Sequence, residues 1–197
     1  MKRALVESGA IVVAALLIGA GCRKAPPDDT GSVDVPTRAV VAGVDLIDYD
    51  AATGEFSCRA PGHWKALEDD KFGPRVMFFG PGTAKFPRSV SISVLRYPDG
   101  DNIKTPKDFW DSLKISGQNP SPLETRAANG RTEYLLHYDR PQLPLHGYKV
   151  LYMKREDVVL IPSKDGFYAL VHSAPSETYS ETLPVFDAVV ASFQPKG

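Results

Sequence analysis

Cys22 is the residue whose setting most clearly invites chemistry. It closes the run AALLIGAGCRK (14–24), where an apolar stretch from about Ala10 to Ala20 gives way at one thiol to Arg23 and Lys24. Gly19, Ala20 and Gly21 put small residues just before it, as a signal peptidase requires. Lys2 and Arg3 supply a positive start, and the apolar stretch is shorter than the ~20 residues that cross a bilayer. No other group of residues forms a comparable set. His63, His137, His146 and His172 make no H-x-x-x-H pair and no second cysteine joins one, so neither a metal nor a cofactor is expected. There is no G-x-S-x-G elbow and no S-x-x-K pair to activate a serine. GPGTAK (80–85) lacks the order that cradles phosphate, and DGDN (99–102) starts like a calcium loop without the later Gly and Glu. Both read as loops. The expectation is a protein that is not an enzyme.

The segment ending at Cys22 resembles the lipobox of bacterial lipoproteins, although Gly19 stands where that family prefers leucine. The resemblance implies that the thiol is joined to diacylglycerol, that the chain is cut before Cys22, and that the new amine is acylated. Two or three acyl chains hold a protein on a membrane almost permanently, at ~0.8 kcal/mol per buried methylene. A plain secretory peptide with an incidental cysteine is the other reading. Arg23 is not the aspartate of an inner-membrane retention signal, which favours the periplasmic side of an outer membrane where the host has two. With Cys22 acylated, Cys58 is left unpaired and reads as a small apolar filler in a strand.

Composition agrees with a folded domain behind such an anchor. The 197 residues are 43% hydrophobic and 24% charged, with a formal net charge of −1. Removing residues 1–21 takes Lys2, Arg3 and Glu7, which leaves 21 basic and 23 acidic residues. That balance offers no field for DNA or RNA, so nucleic acid is excluded as a partner. Three parts follow: a lipoprotein signal peptide at 1–21, a lipidated cysteine with a flexible tether at 22–43, and one α/β domain at 44–197. Pro26, Pro27, Asp28, Asp29, Gly31 and Pro36 make the tether a poor candidate for regular structure.

Within the domain, hydrophobic periodicity places the elements. SVSISVL (89–95) alternates as a half-buried strand, Val90, Ile92 and Val94 inward and the serines outward. EFSCRAP (55–61) and RVMFFG (75–80) are shorter strands. Asn129-Gly130 is a two-residue hairpin turn between LETRAA and RTEYLLHY, because both central residues of a type I′ turn need positive φ. KRED (154–157) and SKDG (163–166) are read as two further hairpin turns, giving a meander over about 122–173. TPKDFWDSLKISG (105–117) is a helix with Thr105 as N-cap, Pro106 first inside and Gly117 past the end. Phe109 and Leu113 face the core there. In SETYSETLPVFDAVVASF (176–193), Tyr179, Leu183, Phe186, Val190 and Phe193 form one apolar face. Pro184 is expected in the first turn of a helix capped near Thr182.

The order of these pieces resembles the superfamily that joins PsbP, the lipoprotein DcrB and Mog1. GEFSCRAPGHW (54–64), TPKDFWDSL (105–113) and VLIPSKDGFYALVHSAPSETYSETLPVFDAVVASFQP (159–195) carry the likeness. It implies an α+β fold: a central antiparallel sheet of about six strands flanked by helices on both faces. It also implies a binding or assembly role at a membrane complex, without a shared active site. The chain is therefore expected to meet a membrane through its N-terminal lipid, together with an unidentified protein partner. A carrier of a small apolar ligand between sheet and helices is the alternative. The first candidate for a recognition loop is RPQLPLHG (140–147), with Arg140, Leu143, Leu145 and His146.

Overall fold

In the computed structural model, the described residues are 39–69, 75–81, 89–98, 100, 102–143 and 150–196. They form, in chain order, β1 (Ala39–Val41), β2 (Val44–Asp50), β3 (Phe56–Pro61), β4 (Lys65–Asp69), β5 (Arg75–Phe79) and β6 (Ser91–Pro98). Helix α1 (Pro106–Ile115) follows, then β7 (Glu124–Ala128), β8 (Arg131–Gln142), β9 (Tyr152–Ser163), β10 (Gly166–Pro175), α2 (Tyr179–Ser192) and β11 (Gln194–Pro195). One antiparallel sheet has seven strands in the order β4-β5-β6-β10-β9-β8-β7; a second has the order β1-β2-β3-β11. The expected sheet of about six strands is thus a seven-stranded one beside a four-stranded one. Part of the difference is β1, β2 and β4, which the sequence reading did not mark as strands. Ala39–Val41, read as the end of the tether, pairs with β2 across the Ala42-Gly43 turn.

The centre of the large sheet is apolar on both faces. Successive strand residues point to opposite sides, and the packing follows that alternation. Val158, Leu160, Phe167 and Ala169 join Phe109, Trp110 and Leu113 of α1 in one cluster. Val159, Ile161, Tyr168 and Leu170 join Val185, Phe186, Val189 and Val190 of α2 in the other, together with Leu46, Phe56 and Cys58 of the small sheet. Ser93, expected to face solvent, is buried as well. Its neighbours Leu95 and Tyr97 lie in the α1 cluster, so that face of β6 is covered too.

Local signals set most boundaries. Thr105 and Asp108 form a reciprocal capping box at α1, and Gly117 ends it at φ +80°. Asn129 and Gly130 have φ +53° and +74°, the paired positive values of the expected I′ turn. KRED departs from expectation: Lys154–Asp157 lies inside β9, paired on both sides with β8 and β10. Its two carboxylates have partners across the sheet, Glu156 with Arg140 and Tyr138 and Asp157 beside His172, which lets a polar tetrapeptide continue a strand. α2 also starts earlier than expected, with Thr178 at the N-cap position and Pro184 in its second turn. Thr182 is inside the helix, where its hydroxyl donates to the Thr178 carbonyl at 3.2 Å. Tertiary packing holds that turn despite the missing proline N–H: the Phe186 ring stacks on His172 with centroids 5.5 Å apart.

A buried charge ties α2 to the sheet. Glu133 of β8 is 0% exposed and accepts from Arg126 Nε at 2.8 Å and Arg131 Nε at 2.9 Å. The Arg131 guanidinium also donates to the carbonyls of Val190 (2.7 Å) and Phe193, the last turn of α2. The Val190 carbonyl also accepts the C-cap Phe193 N–H at 3.3 Å, so the cation adds a second donor there and complements the negative end of the dipole. Replacing Arg131 with methionine leaves Glu133 buried on one remaining partner. It should cost about 3 kcal/mol of unfolding free energy by urea denaturation.

Candidate functional site

Three turns meet at one end of the large sheet. Ala42 and Gly43 (φ +49° and +75°) reverse the chain so that Val44 lies at a rim. Past β3, Gly62 N–H donates to the Asp45 carbonyl at 2.8 Å and Trp64 N–H to the Pro61 carbonyl at 3.1 Å. These bonds turn the Trp64 ring inward, where it is 7% exposed. After β5, Gly80 donates its N–H to Val90 at 3.0 Å and lies flat against that ring. A Cβ at Gly80 would stand 2.8 Å from Trp64 Cζ2, so only glycine fits beneath the indole.

The space so framed is a cleft of about 680 Å³ lined by Val44, Trp64, Lys65, Leu67, Phe79 and Gly80, among others. That volume falls in the range of small-molecule sites. Leu67, on the terminal strand β4, is 50% exposed. The charges around it are unequally engaged. His63 Nε2 lies 3.3 Å from Asp45 Oδ2. Glu68 accepts from the Tyr49 hydroxyl and, at 3.3 Å, from the Ala52 N–H. Burial first, and then Glu68, raises the Tyr49 hydroxyl above the ordinary phenol range. Lys65 makes no ion pair among the described residues.

A second concentration of polar groups runs across β8, β9 and β10. On one face Glu156 is held by Arg140 Nη2 at 2.8 Å, by the Tyr138 hydroxyl and by Ser173 Oγ at 3.3 Å. On the other, His137, Asp157 and His172 occupy one register row. His172 is wholly buried; its Nε2 lies 2.9 Å from Thr182 Oγ1, and its Nδ1 lies 3.9 Å from Asp157 Oδ2, an ion-pair distance too long for a hydrogen bond. Burial would raise the Asp157 carboxyl, but the neighbouring His172 ring, Tyr179 hydroxyl and Arg155 charge outweigh it and hold the group below its usual range. Burial and the same carboxylate push the Tyr179 hydroxyl up to about 12. Through Thr182 and Tyr179 these groups meet the first turns of α2, while Asp157 Oδ2 and His172 Nδ1 make no hydrogen bond among the described residues.

The residues singled out from sequence scatter. Arg140 lies in β8 as the partner of Glu156, so the expected loop begins as strand. Pro141 is tolerated there because β7 ends its pairing at Leu135, leaving an open edge. Leu143 is exposed just beyond; Leu145, His146 and Cys22 lie outside the described residues, as do Thr83–Lys85 of GPGTAK. Cys58 is buried in β3, and burial first, then Asp50, pushes its thiol up to about 12. Among the described residues no three His, Cys, Asp or Glu side chains gather as metal ligands. Sequence reasoning missed the cleft. Its only local signal was the GHW turn, since Leu67 and Phe79 meet Trp64 through strand pairing alone.

No family model matches the sequence, and no curated protein matches it. Solved structures do. Cyanobacterial PsbP (CyanoP) from Synechocystis sp. PCC 6803 superposes with a TM-score of 0.51 at 17% identity, over 86% of this chain and 98% of that one. The Saccharomyces cerevisiae Ran-binding protein Mog1p gives a TM-score of 0.51 at 9% identity, over 77% and 96%. The chain therefore has a PsbP/Mog1-like fold, mixed α and β and mostly strand.

Gly80→Ala should displace the Trp64 ring and cost about 1–3 kcal/mol, read by urea unfolding with a shifted indole emission. Asp157 makes a pH-dependent contribution of defined sign. Because its folded pKa is depressed, the stabilisation is full above the unfolded carboxylate range and is lost as pH falls through the folded value. Asp157→Asn should thus cost about 2 kcal/mol at pH 7 and progressively less below about pH 4, in urea midpoints taken across that range.

Proposed function

We propose that this chain is a lipid-anchored, non-catalytic binding domain of a bacterial cell envelope. It is held by an acylated Cys22 and engages a protein partner in the assembly of a membrane complex. The signal-like segment at 1–21 and the lipobox-like residues before Cys22 support the anchor. The proline-rich stretch that follows serves as a spacer between lipid and domain, and Arg23 favours the periplasmic side of an outer membrane. The observation that carries the binding role is the cleft at Trp64. It is an apolar, partly open surface beside a terminal strand, whereas Glu156 in the interior of the sheet is held by Arg140, Tyr138 and Ser173. A fold shared with a Ran-binding protein is compatible with a protein ligand, although fold alone transfers no activity.

The same cleft favours a second reading, that of a carrier for a small apolar ligand. Its position differs from the expectation, because it opens at the end of the sheet rather than between sheet and helices.

Growth of the host with a radioactive fatty acid should label the wild-type chain and leave Cys22→Ser unlabelled, with the variant lost from the membrane fraction. Equal labelling of both would remove the anchor. Crosslinking in native envelopes from a photoreactive residue at position 67 should yield a discrete protein adduct, absent when the same group is placed on exposed Ile115 of α1.

A further inference from the structure

We infer that the Trp64 cleft binds a single-chain amphipathic anion of the fatty-acid class, its apolar tail on Trp64, Leu67 and Phe79 and its carboxylate on Lys65. This deepens the carrier reading and does not depend on acylation of Cys22. Three features of the site lead to it. The described lining brings Val44, Trp64, Leu67, Phe79 and Pro81 together, and its volume of about 680 Å³ is that of a small-molecule site rather than a flat contact. The charges at the mouth are asymmetric. The described lining holds Lys65 and His63 and no carboxylate; His63 faces Asp45 at 3.3 Å, while the Lys65 ammonium makes no ion pair among the described residues. A cationic head would find no uncommitted carboxylate in the lining; an anionic head finds a free ammonium with three donors.

The third feature is the way the cleft is kept open. Gly80 lets the indole lie flat, and a methyl group at that position would push the ring out of its place in the wall. Lys65 and Leu67 stand two apart on β4, so their side chains leave the strand on the same face. Head contact and tail contact are therefore fixed by one short segment. A long Lys65 stem can lie along the apolar wall while its ammonium stays at the mouth.

The test uses the full chain carrying Cys22→Ser, so that no acyl group of the protein competes and a failed anchor cannot be mistaken for a failed site. Dodecanoate, below its micelle concentration, is titrated by calorimetry beside dodecyltrimethylammonium. Dodecanoate should bind and the cation should bind at least tenfold more weakly. Lys65→Glu should weaken dodecanoate by about tenfold and improve the cation. Leu67→Asp should weaken dodecanoate by a similar factor. Trp110→Phe leaves Trp64 as the sole indole, whose emission should change on binding; should that variant unfold, calorimetry on the parent chain still decides. Equal binding of the two amphiphiles, indifference to Lys65→Glu, or no heat with dodecanoate would overturn the inference. So would a protein crosslinked at position 67 in the absence of any dodecanoate binding.

Discussion

Burial of two adjacent strands on both faces is the constraint on which the rest of this structure depends. β9 and β10 lie at the middle of the seven-stranded sheet, and Val158–Ile161 and Phe167–Leu170 are almost wholly buried. A strand apolar on one face needs one cover; these need two. α1 supplies one. α2 and the four-stranded sheet supply the other, which is why the chain after Pro175 and the chain before Pro61 converge on the same cluster. The aromatic contacts show the convergence directly: Phe56 of the small sheet meets Phe193, and both meet Tyr168 of β10.

Polar groups inside that assembly act as fasteners. The Glu133 carboxylate is tolerable at 0% exposure because two guanidinium groups hold it. One of those, Arg131, reaches on to the end of α2, so a cost of burial at the sheet becomes a fixed position for a helix. The Asp157–His172–Thr182 arrangement does the same at the other end of α2. The cleft at Trp64 differs: its walls are mainly apolar, and Lys65 in its lining makes no ion pair among the described residues.

The elements that were legible were those whose signals are local. The α1 capping box, the Asn129-Gly130 turn and the Lys164-Asp165-Gly166 turn each rest on backbone requirements met within a few residues, and each stands where the sequence put it. The failures share a different cause. KRED looks like a turn because four charges in a row are costly in a strand unless they are paired. Arg140 and Tyr138, which pair with Glu156, and His172, which faces Asp157, come from other strands. β4 carries five residues with hardly any buried side, so no periodicity announced it. Pro184 argued for a later start to α2, and packing of Tyr179 and Phe186 against His172 outweighed the proline.

By itself the sequence determined the α1 cap, the Asn129-Gly130 and Lys164-Asp165-Gly166 turns and the α+β class, because these follow from φ preferences and the spacing of apolar residues along one segment. It also set Cys22 in a lipobox-like context, which is a property of consecutive residues. Only the tertiary structure decided which strands were neighbours, how Glu133 was neutralised, and that Trp64, Leu67 and Phe79 enclose one space with Lys65 at its mouth. Those outcomes depend on contacts between residues far apart in the chain, where the energy of a pairing exists only once both partners have been brought together.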